Sequence, residues 1–392
     1  MFRIVLLLGL SFPLFAQESA QGLHIDCPAG DGGAFYINQS LGYRISAKPT
    51  SKFIPTYHSV PEGVQQNVEE ALAIWEQILI SKIPIHIHVY WESMNPRTLA
   101  SAGADKVYKN FKNAPFKETW YPSALAEAIQ GENLTGNGAD IILRINSEAN
   151  WAPPTGTGSI FQYDMVSVVL HEVAHGIGFM SSFSEDEATY VRWGIQNIPF
   201  IYDKFMRDEQ GNEIANPRFY TNDSQNLLHA ITEGDVSFAI EKGQYASNGI
   251  MLHTEVPFSS GASLSHFSQA QRLDSDDQLM YPSIRPAVRV RFPGQATLAV
   301  LYQIGWALNF YEFDRTYSAE SPLFSLYPNP ASDLLRIETS VEALPYQIIN
   351  QQGKILTNGQ IQKGESEIPL EFLSSGKYYL KIGNTTLPFI KI

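Results

Sequence analysis

The residues with the most direct chemical content are His171-Glu172-Val173-Ala174-His175, followed at once by Gly176-Ile177-Gly178-Phe179. Residues four apart on an α-helix lie one turn above each other on one face, so His171 and His175 can turn two imidazole nitrogens toward one metal ion. Glu172 can then hold the water that such a metal polarises and accept its proton. The spacing is that of zinc hydrolases, and one catalytic Zn2+ is the expected cofactor. A structural Ca2+ is possible, but no ligand pattern indicates one.

A helix must present these groups, and its signals are legible. Val166, Val169, Val173 and Ile177 recur at spacings of three, four and four, forming an apolar stripe, while His171, Glu172 and His175 fall on the other side. Asp164 is a candidate N-cap, and Gly178 stands where a left-handed residue would end the helix. A surface helix with two incidental histidines would leave the apolar run before His171 unexplained.

A catalytic zinc takes three protein ligands and keeps a fourth position open, so a third ligand is required. In the metzincin pattern HExxHxxGxxH a histidine follows the glycine by three residues; here Ser181 occupies that position. His253, His266 and a carboxylate such as Glu185 are the later candidates. His266 has the better context, fourteen residues before Met280 in Leu279-Met280-Tyr281-Pro282. The helix motif, a long insert, a lone histidine and a Met-turn together resemble leishmanolysin-like metzincins and related secreted bacterial peptidases, over roughly residues 50–308. That resemblance implies His171, His175 and His266 as metal ligands, Glu172 as the general base and acid, and Met280 as the Met-turn residue beneath the metal. It also implies that the strand containing Ile141, Ile142 and Leu143 is the edge that pairs with an extended substrate. A gluzincin arrangement, with a downstream Glu as ligand, is the rival; Gly178 and Met280 speak against it. Tyr281 follows Met280 directly and receives no role.

The rest of the chain frames this site. Its 392 residues and 44% apolar content suffice for more than one domain. Residues 1–16 have the layout of a secretory signal peptide, with Arg3, an apolar run from Ile4 to Leu10 and a small residue at Ala16. That run is too short for a membrane span, and no transmembrane segment is expected. Cys27 is the sole cysteine, so no internal disulfide can form; it reads either as a plain unpaired thiol or as a cap on the zinc from an N-terminal segment. The net charge of −13 argues against a nucleic-acid partner. Residues 161–290 carry 17 acidic and 8 basic side chains, which aids solubility or steers basic substrates.

Along the chain, an extended stretch near residues 43–57 precedes a helix opened by Pro61, with Val64, Val68, Leu72, Trp75 and Leu79 on one face. Ile85–Trp91 alternates as a half-buried strand, whose His86 and His88 read as an exposed sheet face or a metal pair. A short helix over 121–130 and a strand over 139–146 follow. Then come turn-rich residues 153–156, the metal helix and a mostly irregular insert over 182–262. After residue 322 short strands such as Leu334–Glu338, Tyr346–Ile349, Tyr378–Ile382 and Pro388–Ile392 predict a small β-sandwich. With Leu326-Tyr327-Pro328-Asn329-Pro330-Ala331 before them, they resemble the C-terminal sorting domain of type IX secretion; a carbohydrate-binding or adhesive sandwich is the alternative.

The expected organisation is a signal peptide (1–16), an N-terminal segment (17–45), a zinc peptidase domain (46–310), a linker (311–322) and a sorting domain (323–392). The expected fold class is α+β, a metzincin-like domain of twisted mixed sheet and active-site helix with a large insert, followed by an all-β sandwich. The expected function is a secreted zinc endopeptidase with a protein or peptide substrate. It would be exported through the periplasm of a gram-negative bacterium, with type IX machinery as partner. The alternatives are an inactive surface adhesin on the same fold and a metal-dependent amidase acting on cell-wall peptides.

Overall fold

The computed structural model describes residues 16–30, 49–153, 159, 161–185, 190–241, 245, 248–271, 273 and 277–309, and in the C-terminal part 324–327, 331–339, 344–350, 354–382 and 385–392. Residues 1–15 of the expected signal peptide (1–16), the expected linker 311–322, most of the turn-rich residues 153–156 and Pro328–Pro330 lie outside the described residues. The fold is mixed α+β, with five helices and a majority of strands among those residues.

Two strands come first, β1 (Glu18–Gln21) and β2 (His24–Pro28). Strand β3 (Phe53–His58) leads into helix α1 (Glu62–Ile78) and returns as β4 (Ile85–Glu92), parallel to β3. This is the βαβ unit that parallel pairing requires. Pro61 sits just before the first turn, and the apolar stripe of α1 buries Val68, Ala71, Leu72, Trp75 and Ile78. Next come β5 (Thr98–Ala104), β6 (Lys106–Lys109), β7 (Tyr121–Pro122), α2 (Ser123–Gln130) and β8 (Ile141–Asn146). The main sheet has the order β2-β5-β8-β4-β3, with β2 and β5 antiparallel to their neighbours, while β1, β6 and β7 form a separate small sheet.

Helix α3 (Met165–Gly176) packs across the inner face of the main sheet beside α1. Gly176 permits the approach: a Cβ there would stand 2.5 Å from the Ile141 side chain. Trp75 of α1 donates its indole N–H to the Leu170 carbonyl, and Trp306 donates to that of Ile177. Every residue of α3 is buried, so it is a core helix and not a surface one. The insert is more ordered than its composition predicts. It carries β9 (Ser184–Glu185), β10 (Val191–Arg192), β11 (Met206–Arg207), α4 (Gln225–Thr232), β12 (Ser237–Phe238) and β13 (Ile250–Met251). Its Tyr202, Phe205 and Phe238 join the same hydrophobic core as the sheet and α3, before α5 (Gln295–Ile304) completes it.

The edge expected at residues 141–143 is an interior strand. Ile141, Ile142 and Leu143 do not form an open edge, because β8 is bonded to β5 on one side and to β4 on the other. The continuous apolar run of β8 is the mark of an interior strand. The strand flanking it, β5, reads Thr-Leu-Ala-Ser-Ala-Gly-Ala, small residues without an alternation that would announce a strand.

The C-terminal residues form two antiparallel sheets. One is β14 (Phe324–Tyr327), β15 (Leu334–Thr339) and β18 (Gly364–Pro369); the other is β17 (Ile355–Ile361), β16 (Leu344–Ile349), β19 (Gly376–Ile382) and β20 (Thr385–Lys391). Leu335, Ile337 and Ile368 of the first meet Ile348, Ile361, Leu380 and Phe389 of the second in one core, as a sandwich requires. β17 and β18 were not foreseen, because Gly, Asn, Gln, Ser and Glu dominate them.

Candidate metal centre

The N-terminus of α3 is fixed by Asp164. Its carboxylate accepts from the Ser167 amide at 2.9 Å and the Ser167 hydroxyl at 2.6 Å, the capping that the sequence predicts. Arg291 grips the same carboxylate with two nitrogens at 2.6 and 3.0 Å. Burial alone would raise the Asp164 pKa, but Arg291 and Ser167 together hold it below the ordinary value. At the other end Gly178 adopts φ +117°, which turns the chain away from the helix axis.

Two turns along α3, His171 and His175 bring their Nε2 atoms within 3.1 Å of each other, and Nε2 of His266 lies 3.2 Å from that of His171. For three nitrogens around a tetrahedral zinc with bonds of about 2.0–2.1 Å, the expected separation is about 3.3–3.4 Å. Each ring is oriented through its other nitrogen: Nδ1 of His171 lies 2.7 Å from the Leu279 carbonyl, that of His175 2.6 Å from the Phe179 carbonyl and that of His266 3.0 Å from the Ala262 carbonyl. A carbonyl can only accept, so each Nδ1 carries the proton and each Nε2 of the neutral ring presents a lone pair. Burial keeps the rings neutral: it lowers the His171 pKa to about 4 and those of His175 and His266 well below the ordinary value. Three lone pairs thus face one point in a dry interior, a donor set that fits a borderline-soft divalent cation.

The structure brings Met280 to the site through its backbone. Leu279 orients His171, and the Met280 carbonyl accepts from the Phe267 amide at 2.7 Å, tying this turn to the segment that carries His266. Ser181, at the position of the compact metzincin ligand, donates its amide N–H to the Ser265 hydroxyl oxygen at 3.1 Å. His266 therefore arrives beside the place where the shorter spacing would have put a ligand. Of the other candidates, His253 shares backbone bonds with His266 and Leu264, but its ring lies 3.8 Å from Glu255, and Glu185 is exposed on β9. Among the described residues, only two groups of three could share an ion: His171, His175 and His266, and Cys27, His171 and Glu172. His86 and His88 belong to neither and lie half-buried on the outer sheet face, where His58 stacks on Tyr90 at 4.3 Å.

Glu172 is wholly buried, with an oxygen 4.0 Å from Nε2 of His171. Burial, followed by the charge of Asp26, pushes its pKa well above the ordinary range. Neither of its oxygens closes a well-formed hydrogen bond, although the Cys27 thiol and the Ala102 amide lie near enough to ease its charge. Cys27 is the residue whose place sequence reasoning left open. It is fully buried on β2, its thiol held protonated by burial and by Glu172. Its one signal was position, a lone cysteine soon after the segment expected to be a signal peptide.

No curated protein matches the chain. No helix among the described residues is long and apolar enough to cross a membrane. Residues 325–391 match the family model of the secretion system C-terminal sorting domain, the two-sheet unit described above. The chain is thus similar over its last strands to the sorting domains of type IX secretion, which direct export to the medium or the cell surface of gram-negative bacteria, and that machinery is its partner in export.

Proposed function

We propose that this is an exported zinc-dependent endopeptidase of metzincin-like build, with His171, His175 and His266 as the metal ligands. The observation that carries the reading is the set of three converging Nε2 lone pairs, each fixed by a carbonyl behind its ring, with an unpaired buried carboxylate beside them. A zinc ion held there supplies Lewis-acid polarisation of a water and of the scissile carbonyl. Glu172 accepts the proton of the attacking water, and its buried setting, which raises its proton affinity, suits it to that task. The same carboxyl then delivers the proton to the departing amine, so that one water and one peptide bond become a carboxylate and an amine. In this reading the substrate pairs with the side of β5 that β2 occupies in this structure. The sorting domain carries the enzyme to protein substrates outside the cell.

Glu172→Gln in the full chain tests this reading. The amide keeps the volume and cannot accept a proton, so hydrolysis of an unfolded protein should fall by about 10²- to 10⁴-fold while one zinc per chain is retained. Undiminished hydrolysis with zinc in place would refute the role of Glu172, and hydrolysis that survives a chelator would refute the metal.

A further inference from the structure

His171, Glu172, His175 and His266 are each 0% exposed, and the N-terminal strand β2 packs against α3, bringing Cys27 close to His171 and Glu172. It lies antiparallel along β5, with His24 opposite Gly103, Ile25 opposite Ala102 and Cys27 opposite Ala100. The chain then continues past the histidines, where the Ala29 amide donates to the Arg97 carbonyl at 2.7 Å and the Gly30 amide to the Ile284 carbonyl at 2.9 Å. Ala29 and Ile284 pair in parallel. One extended stretch is therefore held by main-chain bonds on both sides of the metal centre, between β5 and the segment that follows Met280. Such bonding accepts any sequence in extended form, and selectivity must come from the side chains that point inward. These are Ile25 and Cys27; His24 and Asp26 point outward and are exposed. Cys27 stands over His171 and Glu172. Ile25, two residues earlier, packs with Ala104, Val107, Trp120, Met180 and Phe200 in an apolar pocket separate from the main core.

We propose that residues 24–30 fill the groove an extended peptide substrate takes, and that the pocket around Ile25 selects a branched aliphatic residue two positions before the one over the metal. The inference rests on the peptidase reading and names the substrate class of the same site: unfolded segments with Ile, Val or Leu at that position. Burial of one such side chain corresponds to about 10- to 100-fold in affinity.

The test uses the full chain. Ile25→Asp puts a charge in the pocket, and Gly22→Val puts a Cβ where the Ala104 carbonyl stands, 1.9 Å away. Each should lift β2, giving faster deuterium uptake over residues 98–104 with unchanged protection of α3, and about tenfold or greater gain in cleavage of an unfolded protein. A synthetic peptide of residues 22–29 carrying Cys27→Ser, added to the Ile25→Asp chain, should restore protection of residues 98–104 and inhibit. The same peptide carrying Ile25→Asp should need about tenfold more or higher. Unchanged uptake over 98–104 in both variants, or equal action of the two peptides, overturns the inference. Uptake and competition as expected, with no peptide bond ever cleaved, would sink the peptidase reading and leave the groove assignment standing.

Discussion

Asp164 offers the best-determined perturbation of α3. Asp164→Ala removes the N-cap hydrogen bonds to Ser167 and leaves the Arg291 guanidinium without its bidentate partner. Loss of a cap costs about 1 kcal/mol. Breaking a fully buried ion pair costs about 3–5 kcal/mol. Arg291, however, keeps 30% of its side chain exposed and a second carboxylate, Glu70, at 2.8 Å, so about 1–2 kcal/mol is the fitting share here. The sum, about 2–3 kcal/mol, corresponds to a fall of about 5–10 °C in the melting temperature of a domain this size. Asp164→Asn keeps an acceptor for Ser167 and loses only the charge, so it should cost about half as much. A double-mutant cycle with Arg291→Met isolates the pair. Zinc stoichiometry should survive in all of these variants, because the histidines lie two turns further along α3. If Asp164→Ala cost less than about 0.5 kcal/mol, or no more than Asp164→Asn, the assignment of this carboxylate as cap and anchor would be wrong.

Other consequences are equally open to measurement. His266→Ala leaves two nitrogens where three converge, so dialysed protein should lose its stoichiometric zinc; a full complement of metal would mean that another residue is the third ligand. Asp140, wholly buried with one carboxylate oxygen unpaired, has its pKa pushed up to about 7 by burial and then by Glu127. The folded state therefore favours the protonated carboxyl, and its stabilisation, complete below the unfolded pKa near 4, is lost as pH rises through about 7. Relative to wild type, Asp140→Asn should gain stability progressively between pH 4 and 7, by at most about 4 kcal/mol in denaturant unfolding. A difference between the two proteins that does not vary with pH would show that Asp140 titrates normally.

Local features of the chain were legible where backbone neighbours alone decide them. The stripe Val166, Val169, Val173 and Ile177 with Asp164 before it marks α3, and the fourfold spacing puts His171 and His175 on one face whatever surrounds them. The strands of the sorting domain with branched and aromatic alternation were equally visible, and those rich in Gly, Asn and Ser were not. Which later histidine joins His171 and His175 could not be settled by spacing. His253 and His266 lie on segments that bond to each other, at 2.8 Å between the His253 amide and the His266 carbonyl, and only packing turns one ring inward and leaves the other beside Glu255. The edge of the sheet was a question of pairing partners, which a single strand does not carry, so Ile141–Leu143 read as an edge although β5 covers it. The sequence by itself determined a helix with two histidines one turn apart and a carboxylate beside them, and an export unit at the C-terminus. Tertiary structure decided the rest, because joining His266 to His171 across 95 residues, fixing three ring tautomers with distant carbonyls and laying Cys27 over Glu172 all depend on closing long loops onto a common core.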